Sequence, residues 1–296
     1  MRVVTIGECM VELSPTGGGL LRQGFAGDTF NMAWYLRRLL PAACSVDYLS
    51  AVGSDALSDQ MLGFMQTAGV GVAHVARVDG RSVGIYLITL QNGERSFSYW
   101  RDSSAAKTLA DDPAALAQGL AGAGLVVFSG ITLAILSQAG RATLLAAIAQ
   151  ARAAGAVVAF DPNMRERLWP DAADLRYWIA AAAAGADVVL PSFDEDARVF
   201  GDASPTATIA RYRGWGAGCV VVKNGAGIVQ AWDGATHQMQ PAPSPVVDST
   251  AAGDSFNAGF LAARIQGAAM AACLHGAANL AAQVIAAPGA LVAPKA

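Results

Sequence analysis

Charged residues are scarce in this chain of 296 residues: Asp, Glu, Lys and Arg together make up 15% of it, and lysine occurs three times. The formal net charge of −3 and the lack of a basic patch argue against a nucleic-acid partner. The three histidines form no ligand pattern. The cysteines have no paired spacing, which disfavours a disulfide framework or a zinc site; they are Cys9, Cys44, Cys219 and Cys273.

Several signatures are also missing. The chain has no G-x-x-x-x-G-K-[ST] motif and therefore no P-loop. The first apolar run continues as Ile6-Gly7-Glu8-Cys9 rather than as G-x-G-x-x-G, which disfavours a dinucleotide-dependent dehydrogenase. The N-terminal residues lack the organisation of a signal peptide, and no apolar run is uninterrupted enough for a membrane span. We therefore expect a cytoplasmic protein without a membrane partner.

Short apolar runs alternate with helical segments along most of the chain. Buried strands are predicted over residues 3–6, 125–129, 156–160, 187–190 and 219–222. Helices are predicted over residues 141–154, 174–184 and 205–212. This alternation predicts a single α/β domain over residues 1–296, with a central, mostly parallel sheet and helices on both faces. Ligands of such sheets bind beyond the carboxyl ends of the strands.

Two segments depart from this alternation. Residues 83–101 are predicted to form a β-hairpin around the turn signal Asn92-Gly93. Residues 8–25 are predicted to add extended segments around the turn at Gly17-Gly18-Gly19. Together they predict a small β-sheet that projects from the main body, either as a lid or as a surface through which copies of the chain associate.

The most informative stretch is residues 248–261, where Ala251-Ala252-Gly253-Asp254 precedes an apolar helical run. The small residues allow close approach to the backbone, and unpaired N–H groups at a helix start favour an anion there. Asp254 beside such an anion hole suits removal of a proton from a hydroxyl that attacks a phosphoryl group. In the alternative interpretation, Asp254 only caps the helix.

A second polar constellation is Gly27-Asp28-Thr29-Phe30-Asn31, which leads into an amphipathic helix. Asp28 and Asn31 are three residues apart and can lie on one side of the helix start. Two polar side chains placed in this way suit the binding of neighbouring hydroxyl groups. The alternative is a capping Asp or Thr.

Tyrosine and arginine side chains cluster on the predicted hairpin. Tyr86 lies there, and Tyr99 and Arg101 are two residues apart, so that they point to one face. Guanidinium groups bind a carboxylate through two parallel hydrogen bonds, so this cluster suits a carboxylate-bearing ligand. A solvated arginine on an edge strand is the alternative.

Further polar residues follow three predicted strands. Asn163 and Arg165 lie in the loop after residues 156–160, where the alternative is an Asp-Pro-Asn turn with surface arginines. Ser192 is followed by the acidic residue Glu195, whose alternative role is to complement a helix dipole. Lys223 closes a buried strand, where its charge suits nucleotide phosphates.

These motifs resemble those of the ribokinase-like (PfkB) carbohydrate kinases. Residues 248–261 match every position of that family's second signature, and Gly27–Asn31 is similar to its Gly-Asp-x-x-Asn substrate motif. The resemblance covers almost the whole chain. Within the family, four segments resemble the 2-keto-3-deoxygluconate kinases: residues 7–13, 97–101, 129–137 and 163–169. The chain departs from the common pattern at Ala26, Met164 and Ser192.

The resemblance implies ATP and Mg²⁺ as cofactors and roles for individual residues. The sugar acid is expected at Gly27, Asp28, Asn31, Tyr86, Tyr99, Arg101, Arg165 and Asp254. The nucleotide is expected at Asn163, Ser192, Lys223, Gly225, Gly253 and Asn279. Metal ions are expected at Glu195 for Mg²⁺ through water, and at Asp248 and the Thr250 carbonyl for a monovalent cation such as K⁺.

The expected reaction is therefore the ATP-dependent phosphorylation of 2-keto-3-deoxy-D-gluconate at its primary C6 hydroxyl. Asp254 is the expected general base, and the N–H groups of Ala251, Ala252, Gly253 and Asp254 form the expected anion hole. The alternative is a neutral-sugar kinase of the ribose or fructose type, which shares these residues but needs no convergent arginines. A sugar-sensing protein without turnover is disfavoured by the intact Asp254. We also expect a homo-oligomer that associates through the β lid.

Overall fold

The computed structural model describes residues 1–91 and 94–294, which form one large sheet, a smaller second sheet and the helices around them. The strands are β1 (Arg2–Ile6), β2 (Met10–Gly17), β3 (Leu20–Ala26), β4 (Ser45–Val52), β5 (Gly71–Arg77), β6 (Gly84–Gln91), β7 (Glu94–Trp100), β8 (Leu125–Ser129), β9 (Val157–Asp161), β10 (Val188–Val189), β11 (Cys219–Val222), β12 (Val229–Trp232) and β13 (Thr236–Met239). The helices are α1 (Asp28–Leu39), α2 (Ala56–Thr67), α3 (Pro113–Leu120), α4 (Gly130–Ile135), α5 (Gln138–Ala153), α6 (Ala172–Ala184), α7 (Phe193–Phe200), α8 (Pro205–Gly214), α9 (Ala252–Ile265) and α10 (Met270–Ile285). Short 3₁₀ turns cover Ala105–Thr108 and Glu166–Leu168.

The larger sheet runs in the order β13-β12-β11-β10-β9-β8-β1-β4-β5 within the described residues. Neighbouring strands from β5 to β11 pair in parallel, whereas β12 pairs antiparallel with both β11 and β13. At the centre, Val4 of β1 pairs with Asp47 on one side and Val126 on the other. This topology confirms the predicted α/β fold with a mostly parallel sheet.

Both faces of the larger sheet are buried beneath helices. Side chains alternate along a strand, so Val3 packs into the apolar cluster on one face, whereas Val4 and Ile6 pack into the cluster on the other. Residues of α1, α2, α9 and α10 complete the first cluster, and residues of α3, α5, α6 and α8 complete the second. Burial on both faces explains why the central strands are nearly continuous apolar runs.

The strands that the sequence did not reveal, β4, β5, β12 and β13, carry polar residues or lie near the edges of the sheet. In β4, Asp47 accepts a hydrogen bond from Arg2 at 2.6 Å, and Ser50 donates to the Gly7 carbonyl at 2.6 Å. β10 is shorter than the predicted range 187–190, and the carboxylate of Asp187 accepts a bond from the N–H of Val158 at 2.8 Å.

The second sheet is formed by the two segments that depart from the alternation, and its strand order is β3-β2-β6-β7. The β2–β3 and β6–β7 pairs are antiparallel, and β2 pairs with β6 in parallel. The predicted hairpin is therefore present as β6 and β7, while its turn residues Asn92 and Gly93 lie outside the described residues. Large apolar side chains of β3 and β7 are exposed on this sheet; they are Leu20, Leu21, Phe97 and Trp100.

Among the helices of residues 1–91 and 94–294, none combines the length and the hydropathy that crossing a membrane would require.

Candidate active site

A cavity of about 1000 Å³ lies where the carboxyl ends of the central strands meet the second sheet. A second cavity of about 250 Å³ adjoins it and shares Gly27, Asp28, Tyr99 and Arg165 with it. Arg101 lines the smaller cavity. The larger one is also lined by most other predicted site residues, namely Asn31, Tyr86, Asn163, Ser192, Glu195, Lys223, Asp248, Thr250, Ala251, Ala252, Gly253 and Asp254. Gly225, in the turn after β11, and the exposed Asn279 on α10 line neither cavity.

The start of α9 forms one wall of the larger cavity. Ala251 precedes the helix in the left-handed region, with φ of 60°, and no side chain caps the helix start. Asp254 lies in the first turn of α9 rather than before it, so the interpretation of Asp254 as a cap is wrong. The N–H of Ala252 donates to the Ser249 carbonyl at 3.2 Å, whereas the N–H groups of Gly253 and Asp254 have no capping side chain, as an anion hole requires.

Asp254 is held in place from α1. Its Oδ2 accepts a hydrogen bond from Nδ2 of Asn31 at 2.7 Å. Burial, reinforced by the negative charge of Asp28, raises the pKa of Asp254 to about 7. A carboxylate with a pKa near neutrality is matched to accepting a proton from a hydroxyl at physiological pH.

Asp28 and Asn31 lie together at the start of α1, as the motif predicts. The carboxylate of Asp28 accepts hydrogen bonds from the Thr29 N–H at 2.8 Å and from Nδ2 of Asn163 at 2.9 Å. Burial raises the pKa of Asp28. Gly27 is required by close packing, because a Cβ there would lie 2.1 Å from the carbonyl oxygen of Glu8. Asn163, expected at the nucleotide, is thus in contact with Asp28.

A buried polar network underlies α9 that the sequence did not reveal. Nζ of Lys223 lies 3.4 Å from Oδ1 of Asp161 and 3.0 Å from Oδ1 of Asn257, and Asn257 donates to Oδ2 of Asp161 at 2.7 Å. All three side chains are buried. The available signals were the position of Asp161 at the carboxyl end of β9 and that of Asn257 one helical turn after Asp254. The Lys223 ammonium, expected at phosphates, already faces a carboxylate.

Glu195 and Arg165 form an ion pair at the opposite wall. Oε1 of Glu195 accepts a bond from Nη1 of Arg165 at 2.9 Å, and Oε2 accepts one from the Met164 N–H at 3.0 Å. Burial raises the pKa of Glu195, although the charge of Arg165 opposes this shift. Ser192 precedes α7 without capping it. Arg165, expected at the sugar acid together with Arg101, therefore also pairs with a protein carboxylate.

The second sheet and the residues that flank its strands contribute two further carboxylate contacts. A guanidinium nitrogen of Arg101 donates to Oε2 of Glu8, which is almost completely buried. The hydroxyl of Tyr86 donates to Oε2 of Glu12. Burial raises the pKa of Tyr86. Because its hydroxyl is engaged, Tyr86 offers the cavity its ring rather than a free donor.

Asp248 and Thr250, which are expected to hold a monovalent cation, contact each other in the loop before α9. Asp248 accepts hydrogen bonds from the Thr250 N–H at 2.9 Å and the Gly289 N–H at 2.6 Å, which organises the loop before α9. In the part of the chain that the structure describes, no three acidic, histidine or cysteine side chains converge as a metal cluster. The carboxylate of Glu195, which lines the larger cavity, fits Mg²⁺, because this ion usually keeps several waters and binds one or two carboxylates together with substrate phosphates.

The sequence pattern of the pfkB family carbohydrate kinases matches residues 1–296. The chain is 39% identical over 274 residues to the 2-dehydro-3-deoxygluconokinase of Dickeya dadantii (strain 3937), and the match covers 90% of this chain and 88% of that protein. It is 31% identical over 264 residues to the fructokinase of Klebsiella pneumoniae, with 88% and 83% covered.

Solved structures share the architecture. The crystal structure of the 2-dehydro-3-deoxygluconokinase from Thermotoga maritima matches with a TM-score of 0.87 at 22% identity, covering 99% of this chain and 95% of that one. A fructokinase with bound ATP from Xylella fastidiosa matches with a TM-score of 0.82 at 24% identity, covering 98% and 93%. At these identities, the likeness shows a common ribokinase-like fold.

Proposed function

This chain belongs to the pfkB family of carbohydrate kinases, and we propose that it transfers the γ-phosphoryl group of ATP to the C6 hydroxyl of 2-keto-3-deoxy-D-gluconate. The observation that carries the proposal is the joint lining of two adjoining cavities by the partly buried Asp254 and by arginines from two other segments. The relative of 39% identity is named for the same substrate.

Asp254 is the proposed general base. It takes the proton of the C6 hydroxyl as the hydroxyl oxygen forms a bond to the γ-phosphorus, while the bond from that phosphorus to the β–γ bridging oxygen breaks. The products are the 6-phosphate of the sugar acid and ADP, and the proton then leaves Asp254 for solvent. Asn31 supports this role because its amide fixes the carboxylate through a 2.7 Å hydrogen bond.

The start of α9 is the proposed anion hole. The N–H groups of residues 251–254 stabilise the charge on the transferring phosphoryl group, because donors at a helix start and the helix dipole both favour an anion. The Ala252 N–H would exchange its bond to the Ser249 carbonyl for one to the phosphoryl group. The small side chains of Ala251 and Ala252 and the lack of a side chain at Gly253 keep this position open. Lys223 adds positive charge close to Gly253, because a Cβ at position 253 would lie 3.7 Å from Nζ of Lys223.

The remaining walls bind the two substrates. Asp28 and Asn31 bind hydroxyls of the sugar acid, while Arg101 and Arg165, with the help of Tyr99 and the ring of Tyr86, bind its carboxylate. The nucleotide lies along the carboxyl edge of the larger sheet. Residues proposed to contact it are Asn163, Ser192, Lys223, Gly225, Gly253 and Asn279.

Two kinds of metal ion are included in the proposal. Glu195 holds Mg²⁺ through water, and the ion neutralises phosphate charge. Asp248 and the Thr250 carbonyl hold a monovalent cation in the loop before α9. Assays in potassium and in tetramethylammonium salts test this site: we expect higher activity with K⁺, and equal activities would contradict the cation site.

The second sheet is the proposed lid, which excludes water from the phosphoryl group when it closes. Its exposed side chains Leu20, Leu21, Phe97 and Trp100 are the proposed contact between copies of the chain. Light scattering of Trp100→Lys tests this contact. We expect a lower mass than for the wild type; an unchanged mass at or above that of a dimer would contradict it.

A neutral-sugar kinase is the second candidate, and the 31% identity to a fructokinase favours it. The two candidates are separated by measuring ADP formation with ATP and Mg²⁺ on 2-keto-3-deoxygluconate, ribose, fructose and gluconate. Our proposal expects turnover of the keto-deoxy acid far above that of the others, with the phosphate on C6 by ³¹P NMR. Turnover of a neutral sugar alone would overturn the proposed substrate and leave the proposed base in place.

A further inference from the structure

The arginines of the cavities differ in how their charges are compensated. Arg101 donates to the buried carboxylate of Glu8, and Arg165 pairs with Glu195. Lys223, the lysine that lines the larger cavity, faces Asp161. Each of these cations already has a protein carboxylate as its counter-ion.

Arg167 lines both cavities and is the exception. Within residues 1–91 and 94–294, it forms no ion pair, and the neighbouring carboxylate of Glu166 is taken by Arg198 at 2.5 Å. The guanidinium carbon of Arg167 instead lies 4.5 Å from the centre of the Tyr99 ring. An aromatic face attracts a cation without neutralising its charge, and it leaves the N–H groups at the guanidinium edge available for an anion.

We propose that Arg167, seated on the ring of Tyr99, is the specificity-determining residue that supplies the uncompensated positive charge for the carboxylate of the sugar acid. This inference rests on the proposed function. It assigns Arg101 and Arg165 a lesser part in the preference for an acid, since Glu8 and Glu195 already balance their charges. Tyr99 acts chiefly as a platform in this arrangement.

The position of the Tyr99 ring is itself fixed by packing. Its centre lies 5.9 Å from that of Tyr86 and 6.3 Å from that of Phe97. The Tyr86 ring is in turn anchored by the bond from its hydroxyl to Glu12. A row of packed rings therefore presents Arg167 to the cavity, although Arg167 lies in an exposed turn after β9.

The test compares Arg167→Met with a matched control, Arg213→Met. Arg213 stacks on Trp232 at 3.9 Å but lines neither cavity, so its replacement removes the same kind of contact elsewhere. For Arg167→Met, we expect KM for 2-keto-3-deoxygluconate to rise by about 10- to 100-fold, the usual value of a charge-assisted hydrogen bond. The KM for ATP and kcat should change much less, and Arg213→Met should leave all three near the wild-type values.

Two tyrosine variants separate the ring from the hydroxyl. Tyr99→Leu should raise KM for the sugar acid more than Tyr99→Phe does, because Arg167 needs the aromatic face. Arg167→Lys, which keeps the charge, should recover part of the loss seen in Arg167→Met. Equal effects of the two tyrosine variants would overturn the platform role.

The outcomes distinguish this inference from the proposed function. If the wild type phosphorylates the sugar acid and Arg167→Met has the same KM, the role of Arg167 is wrong and the proposed function stands. If Arg167→Met raises KM for ATP as much as KM for the acid, Arg167 does not read the carboxylate. If the wild type phosphorylates no sugar acid, both proposals fail.

Discussion

The two ends of the cavity are built in different ways. At the start of α9, a short contiguous stretch supplies small residues, N–H groups without a capping side chain and one acid, Asp254. At the other end, Arg101, Arg165 and Arg167 come from β7's end and the loop after β9, and Glu8 and Glu195 pair with the first two. The first end depends on the backbone, whereas the second depends on long side chains that meet only in the fold.

This difference separates two tasks that a kinase must perform. Phosphoryl transfer needs donors and a base at fixed positions, which a helix start provides with little reorganisation. Recognition of one substrate among similar sugars needs charges whose balance can be adjusted residue by residue. Changes at the α9 end should therefore affect kcat, and changes at the arginine end should affect KM and stability.

The largest effect is expected for Asp254→Asn. The amide keeps the shape of the side chain but cannot accept the proton, so kcat should fall by about 10²–10⁴-fold. Steady-state ADP formation measures this change, and circular dichroism controls for an intact fold. A near-normal kcat would remove Asp254 from its role as base.

The next effect concerns stability at the arginine end. Arg101→Met leaves the carboxylate of Glu8 buried without its cation; the two side chains are 12% and 1% exposed. Breaking a buried pair on one side costs about 3–5 kcal/mol of unfolding free energy. The double variant Glu8→Leu/Arg101→Met should recover most of this loss in urea denaturation. A single variant as stable as the wild type would show that the pair is not a structural element.

The pH dependence of kcat/KM is the third prediction. Asp254 acts as a carboxylate and has a pKa of about 7, so kcat/KM should fall as the pH drops below about 7 and level off above it. The negative charge of Asp161 contributes to this raised pKa, so Asp161→Asn should move the acid limb to lower pH. If the acid limb of the kcat/KM profile stays in place or moves to higher pH, Asp161 does not raise the pKa of Asp254.

The same pKa makes a prediction about stability. The pKa of Asp254 rises from 3.8 to about 7 on folding, so the folded state holds this proton more tightly than the unfolded state. The part of the unfolding free energy that depends on this proton is fully present below pH 3.8 and is lost as the pH rises through 7. Asp254→Asn should therefore have a higher unfolding free energy than the wild type at pH 8, and this gain should shrink toward pH 4. Chemical denaturation at both pH values measures it; a gain that grows toward pH 4 would contradict the raised pKa.

The smallest effect is expected for Arg165→Met. The Arg165 side chain is 50% exposed, so its pair with Glu195 should contribute less than about 1 kcal/mol to the unfolding free energy. Urea denaturation beside Arg101→Met gives the comparison directly. Equal losses in the two variants would show that burial does not distinguish the two pairs.

The parts of the fold that the sequence predicted share one property. The central strands are buried on both faces, and their apolar runs, such as Leu125–Ser129 and Cys219–Val222, stand out in the sequence with their bounds intact. β4 was missed because Asp47 and Ser50 interrupt its pattern. The polar residues satisfy hydrogen bonds that only the folded chain makes.

The same limit applies to the site. The motif residues Asp28, Asn31 and Asp254 line one cavity, and each lies near the start of a helix, where local sequence determines the geometry. The partners of the arginines could not be predicted, because Glu8 and Arg101 are separated by 93 positions and pair only through the second sheet. The role of Asn257 could not be predicted either, because a buried amide has no characteristic sequence pattern.

The most direct test of the separation between phosphoryl transfer and recognition of the acid is to measure kcat and KM for 2-keto-3-deoxygluconate with Asp254→Asn and Arg167→Met in the same assay. We expect Asp254→Asn to lower kcat with little change in KM, and Arg167→Met to raise KM with little change in kcat. If both variants change the same parameter, the cavity does not separate phosphoryl transfer from recognition of the acid, and the account is wrong.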